Sequence, residues 1–243
     1  MSEVLVYPTH AAASRALCDR MTHIAESALA VRGRFVVALA GGNTPRMAYE
    51  LLASEFASDM AWESGYIFWT DERAVPPDHP ASNARMVRET LINYVQIPLD
   101  RVFRIHGEVP PEQAASHYDG LLRDFFRGRD MRRPRFDALL LGVGLDGQIA
   151  SLVPGSPALD ETNRWVTTAQ RPEEPYARVT LTLPAINSAA HILVLATGAE
   201  KAPVVARALR RSAAQSPLPV QRIAPVDGDL TWILDEAAAH DLN

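Results

Sequence analysis

The chain is short of cysteine: Cys18 is the only one in 243 residues. That excludes an internal disulfide and any zinc site built on cysteine pairs. Excess charge is small as well, with 24 Lys and Arg against 29 Asp and Glu and a formal net charge of −5. No global basic field gathers nucleic acid or an anionic membrane surface, so any bound anion must be held by local groups. No apolar run approaches the ~20 residues a membrane span needs. The opening MSEVLVYPTH has no basic segment followed by a long apolar one, so no secretory signal is expected and a cytoplasmic setting is. No two of the seven histidines stand at metal-ligand spacing on one element, so no metal is expected. Internal repeats and low-complexity tracts are missing too.

What is present is a regular alternation of short apolar runs and helical patterns. The apolar fraction of 47% and charged fraction of 22% suit an ordinary globular chain, long enough to bury a real core. Val4 to Tyr7 reads as an edge strand ended by Pro8. Ala13, Leu17, Met21, Ile24, Ala28 and Val31 recur at helical spacing over residues 11–32. FVVALA (35–40), ALLL (138–141) and HILVLAT (191–197) are continuous runs, as expected of strands buried on both faces. Tyr66 to Thr70, Val102 to Ile105, Arg164 to Thr168, Arg178 to Leu183 and Asp229 to Asp235 add further strands. Helices are expected over 46–54, 84–94, 112–127 and from Lys201 to about Arg210, with Ser82 or Asn83 capping the second. The arginine-rich stretch 127–135 contains no aromatic and reads as a solvated loop. No linker interrupts the alternation. The expected fold is one α/β domain over 1–243, with a mostly parallel sheet flanked by helices.

Four loops at predicted strand ends carry the chemistry: Gly41 to Pro45, Asp71 to Arg73, Gly142 to Gln148 and Gly198 to Lys201. The carboxyl ends of successive parallel strands gather on one rim, where ligands bind. Gly41, Gly42, Asn43 and Thr44 offer backbone donors and a hydroxyl ahead of a helix, the general layout of a phosphate cradle. Lys201 adds a point charge, and Arg178 or Arg73 a guanidinium fork. GGNTPR lacks the Gly-Lys-Ser/Thr ending of a nucleotide P-loop. In GVGLDGQ an acid stands beside the last glycine, where a dinucleotide's pyrophosphate would be repelled. The pattern therefore points to a phosphorylated small molecule. Asp146 is expected to face it, with Asp71 and Asp146 as an acid–base pair. The alternative is that both carboxylates are structural partners of arginine and backbone amides.

GGNTP, TDERAVPPDHPASN, LLLGVGLDGQIASLVPG, RVTLTLPAIN and TGAEKA, in this order, resemble the 6-phosphogluconolactonases of the pentose phosphate pathway. Glucosamine-6-phosphate deaminases are a related group. The likeness runs from about Phe35 to the last strand. ASLVPG favours the lactonase branch, since deaminases typically carry Phe-Asn-Glu-Pro-Gly there. The resemblance implies a Rossmann-like, lactonase-type fold and no cofactor. Phosphate would be bound by the GGNTP loop, Arg178 and Lys201, with Arg73 and Asp146 lining the site. It further implies hydrolysis of the δ-lactone of 6-phosphogluconate, with a sugar phosphate as the partner of a monomer or weak homodimer.

One position departs from that pattern. The family motif reads Asp-Gly-His, its histidine being the proposed general base, whereas this chain has Gln148. A glutamine amide orients water but takes no proton at neutral pH. General-base help is typically worth ~10²–10⁴ in rate. Three readings follow. Asp146 or Asp71 serves as base; the enzyme is slow and relies on positioning and charge stabilisation; or the chain is a sugar-phosphate-binding relative. An amino-sugar-phosphate deaminase or isomerase is a more distant alternative.

Overall fold

The computed structural model describes residues 2–127, 133–171, 174–210 and 216–242. Part of the arginine-rich stretch, Arg129 and Arg132 included, lies outside these residues.

Seven strands form one sheet: β1 (Glu3–Tyr7), β2 (Phe35–Leu39), β3 (Gly65–Trp69), β5 (Val102–Phe103), β6 (Ala138–Gly142), β9 (His191–Ala196) and β10 (Asp229–Asp235). The order is β1-β10-β9-β6-β2-β3-β5, and every neighbouring pair is parallel. Helices α1 (His10–Arg32), α2 (Arg46–Ser54), α3 (Asn83–Thr90), α4 (Pro111–Phe126) and α6 (Ala202–Arg210) accompany it, with short turns α5 (Leu183–Ile186) and α7 (Glu236–Ala239). The central strands are the apolar runs of the sequence. β2 is buried along its whole length, and β6 and β9 nearly so, as strands covered on both faces must be. On one face, Phe68 packs among Phe103, Phe125 and Phe136 at centroid separations of 4.8–5.6 Å.

A second, antiparallel sheet was not expected from the sequence. It joins β4 (Asp71–Arg73), β8 (Arg178–Leu181) and β7 (Val166–Ala169) in that order. Thr70 alone separates β3 from β4, and its carbonyl accepts the Leu181 N–H at 2.8 Å, tying the small sheet to the carboxyl end of the large one. Residues 71–73 are therefore a strand, where the sequence suggested a strand meeting a loop. Other boundaries move slightly. α3 ends at Thr90 and a 3-10 turn takes up Ile92–Tyr94, and the strand at Val102 stops at Phe103.

The strand order sets the site. From β2 the chain winds outward through β3 to β5; from β6 it winds the other way through β9 to β10. β2 and β6 lie side by side, Val37 opposite Ala138. The direction of winding reverses between them, and a crevice opens there above the carboxyl ends.

Candidate active site

A pocket of about 360 Å³ occupies that crevice. Four adjacent strands, β9, β6, β2 and β3, each send their following loop into it. Gly41, Gly42, Asn43 and Thr44 come from β2; Gly144 and Gln148 from β6; Lys201 and Glu200 from β9; Asp71 and Arg73 from the segment after β3. Arg178 enters from the small sheet, opposite Arg73 in the β4–β8 register.

The glycine turns are built for close approach. Gly42 has φ +90°, which L side chains rarely adopt. A Cβ on Gly41 would fall 1.9 Å from Asn83 Oδ1, so this glycine lets the asparagine into the wall. The His10 imidazole donates from Nε2 to the Thr44 carbonyl at 3.0 Å, pinning the loop from the start of α1. Gly144 plays the matching part in the β6 turn: a Cβ there would meet Gln148 Cγ at 2.4 Å and Asp146 Oδ1 at 2.7 Å. Ala150, also in the lining, is the one non-glycine at positive φ among the described residues (+47°), a strained conformation held beside the pocket.

The carboxylates of the β3–β4 segment divide their work. Glu72 is buried and caps α3. It accepts the Arg73, Asn83 and Ala84 N–H groups at 2.8 Å and the Ser82 hydroxyl at 3.0 Å. Burial nevertheless holds its carboxyl above the usual range, against the pull of those hydrogen bonds. Asp71 faces the pocket. It accepts the Ser151 hydroxyl at 2.6 Å and lies 3.7 Å from the Arg178 guanidinium. Arg178, 8% exposed, also donates from Nε to Glu174 at 2.9 Å, with a second bond from NH2. Burial acts to raise the Glu174 carboxyl, but hydrogen bonds and charge from Arg178, then Arg171, hold it below its usual value.

Asp146 is placed otherwise than the sequence suggested. It is not among the residues lining the pocket. One carboxylate oxygen accepts the Gln148 N–H at 3.1 Å and the other meets Arg171 at 2.6 Å. The physical reason is local: the turn after β6 spends Asp146 on its own backbone, and an arginine from the loop after β7 compensates the charge.

Two polar atoms in the lining are left without partners. Arg73 donates from NH1 to the Ala81 carbonyl at 2.7 Å, but its Nε is buried and unpaired; Gln148 Oε1 is likewise buried and unpaired. Buried polar groups are nearly always hydrogen-bonded, so one donor and one acceptor left unpaired on two residues that line the same pocket stand out. Lys201 makes no ion pair among the described residues. Asn83, Glu174 and Ser151 were not anticipated as site residues. Asn83 had a legible signal, the Ser-Asn pair at the start of α3, which reads both as a helix cap and as part of the lactonase-like TDERAVPPDHPASN run, but not as pocket wall. Among the described residues no group of three or more His, Cys, Asp or Glu is placed to hold a metal ion, and no helix is long and apolar enough to cross a membrane.

An open parallel sheet with a polar, lysine-bearing pocket at its switch point defines an α/β protein with a crevice for a small molecule at the carboxyl rim. The chain belongs to the glucosamine-6-phosphate isomerase/6-phosphogluconolactonase family, whose model matches residues 8–232. It is 34% identical over 253 residues to the probable 6-phosphogluconolactonase 2 of Oryza sativa subsp. indica, covering 100% of this chain and 90% of that one. The solved 6-phosphogluconolactonase of Trypanosoma brucei superposes with a TM-score of 0.87 at 31% identity, covering 100% of this chain and 99% of that one. A monomeric glucosamine-6-phosphate deaminase shares the fold, with a TM-score of 0.82 at 21% identity and coverage of 98% and 99%.

Proposed function

We propose that the chain hydrolyses 6-phospho-D-glucono-1,5-lactone to 6-phosphogluconate, as its relatives are named for doing. The observation that carries this reading is the pair of unmet groups, Arg73 Nε and Gln148 Oε1, in a pocket that also holds Lys201 and the GGNT loop. The phosphate sits against the backbone N–H groups of Gly41 to Thr44 and the Lys201 ammonium, with Arg178 beside it. The C1 carbonyl lies near Arg73, whose free N–H meets the oxyanion that develops as water adds. The C1–O5 bond then breaks, one proton of the added water ends on the ring oxygen, now the C5 hydroxyl, and the new carboxyl group loses the other to solvent.

Gln148 Oε1 accepts a hydrogen bond from the attacking water and orients it, but cannot take its proton. Asp71 is the pocket carboxylate on the Arg73 side. The Ser151 hydroxyl and the Arg178 guanidinium already occupy it. Positioning and charge stabilisation thus carry more of the rate here than proton transfer, and turnover is slow. A δ-lactone is reactive enough to tolerate that. Asp146 acts through Gln148, by holding the turn. Gln148 itself favours one other reading, a sugar-phosphate-binding relative without catalysis. A cytoplasmic setting and a monomer or weak homodimer belong to this proposal; some named relatives are chloroplastic.

The deciding experiment is hydrolysis of freshly prepared lactone, corrected for the spontaneous rate. Acceleration proportional to protein concentration is expected. Tight 6-phosphogluconate binding with no acceleration would select the binding relative instead.

A further inference from the structure

A second cavity, of about 330 Å³, opens between α3 and the edge strand β5. It shares no lining residue with the catalytic pocket. Trp69, Ile92, Phe103 and Leu121 give it largely apolar walls, and Leu99, 78% exposed, stands at its edge. That volume lies within the range of small-molecule pockets, which typically combine apolar walls with a few placed polar groups.

Three cationic or titratable side chains contribute to it: Arg88, Arg104 and His106. Arg104 is spent, its two terminal nitrogens forking onto Glu108 at 2.8 and 2.7 Å. The Arg88 side chain, exposed at the rim, makes no hydrogen bond or ion pair among the described residues. A second demand comes from Trp69. The residue is 1% exposed, yet its indole Nε1 is buried with no hydrogen-bond partner. The Tyr118 hydroxyl does not serve it, being engaged with the Trp69 backbone N–H and carbonyl at 2.8 and 3.2 Å. A buried donor without an acceptor is a cost that an incoming acceptor relieves.

One exposed guanidinium at the rim, one unmet indole N–H and aromatic-aliphatic walls together describe a ligand with an anionic acceptor on an apolar body. We propose that this cavity is a second ligand site, taking a small aromatic or branched aliphatic carboxylate. Its carboxylate would take the Trp69 N–H and face Arg88, and its hydrocarbon would lie against Phe103, Ile92 and Leu121. A sugar phosphate does not suit it, because its hydroxyls would be desolvated against apolar walls without partners.

The test is calorimetric titration of the full chain with 3-phenylpropionate, indole-3-acetate and 4-methylpentanoate, each beside its neutral amide, with tryptophan fluorescence as a second readout. Saturable binding is expected for at least one acid, about tenfold weaker for the matching amide. It should persist with the catalytic pocket filled by 6-phosphogluconate. Arg88→Gln should weaken it about tenfold and leave lactone hydrolysis unchanged; Trp69→Phe, which keeps a ring and removes the N–H, should weaken it about fivefold. Should Trp69→Phe fail to fold, Arg88→Gln alone decides. The proposal is overturned if none of the acids binds saturably, if Arg88→Gln binds as tightly as the parent, or if 6-phosphogluconate displaces the acid competitively.

Discussion

The Asp146 carboxylate is clasped between the Gln148 N–H at 3.1 Å and the Arg171 guanidinium at 2.6 Å. It therefore bears on the site through the turn that presents Gln148. Asp146→Ala removes both contacts, and lactone turnover should fall by at least about tenfold through misplacement of Gln148. Asp146→Asn keeps an oxygen for the Gln148 N–H and should recover part of that loss, with KM little changed. If Asp146 were instead the proton acceptor, Asn and Ala would be equally inactive, and steady-state kinetics on the pair tells the two roles apart.

Gln148→His places an imidazole where an unpaired amide oxygen now sits. A base acts in the transition state more than in binding, so kcat should rise by about 10² or more while KM stays nearly constant. Background-corrected lactone assays on the two proteins measure this directly. An unchanged kcat would mean that another group already removes the proton.

Much of this arrangement was legible in the sequence, and the reasons are physical. FVVALA, ALLLG and HILVLA are unbroken apolar runs because their strands are covered on both faces, and each is followed by a glycine turn because the chain must reverse at once. Those turns, with Lys201 and Thr44, do meet on one rim. The small sheet was hidden because β4 is three charged residues whose partner lies more than a hundred positions away, and no local pattern announces such a pairing. The orientation of Asp146 was hidden for a related reason. Nothing near it in sequence shows that Arg171 arrives from the loop after β7 to hold it.

Lys201 follows the Gly198 turn, where φ of +96° and the Asp235 carboxylate, accepting the Gly198 N–H at 3.0 Å, fix the loop beside the pocket. Among the described residues Lys201 makes no ion pair, which leaves its ammonium as the cation proposed for phosphate. Lys201→Ala should weaken 6-phosphogluconate binding by about tenfold in calorimetry, and more steeply at low ionic strength. Equal affinity in the variant would remove Lys201 from the phosphate site.

Stability should carry a readable acid limb at Glu108. Hydrogen bonds from Arg104, at 2.8 and 2.7 Å, hold its carboxyl down at about 2 against a usual value of 4.5. A depressed folded-state pKa means that the unfolded chain binds the proton first as pH falls. The contribution is therefore fully present above the unfolded value, declines as pH drops from 4.5 toward 2, and is lost below the folded value. Glu108→Gln cannot titrate, so the stability advantage of the parent over this variant should shrink steadily across that interval and stay flat above it. Urea denaturation across that pH range measures the difference. The pair is partly exposed, so salt should reduce the advantage as well, and a difference independent of pH would show that Arg104 and Glu108 do not hold together in solution.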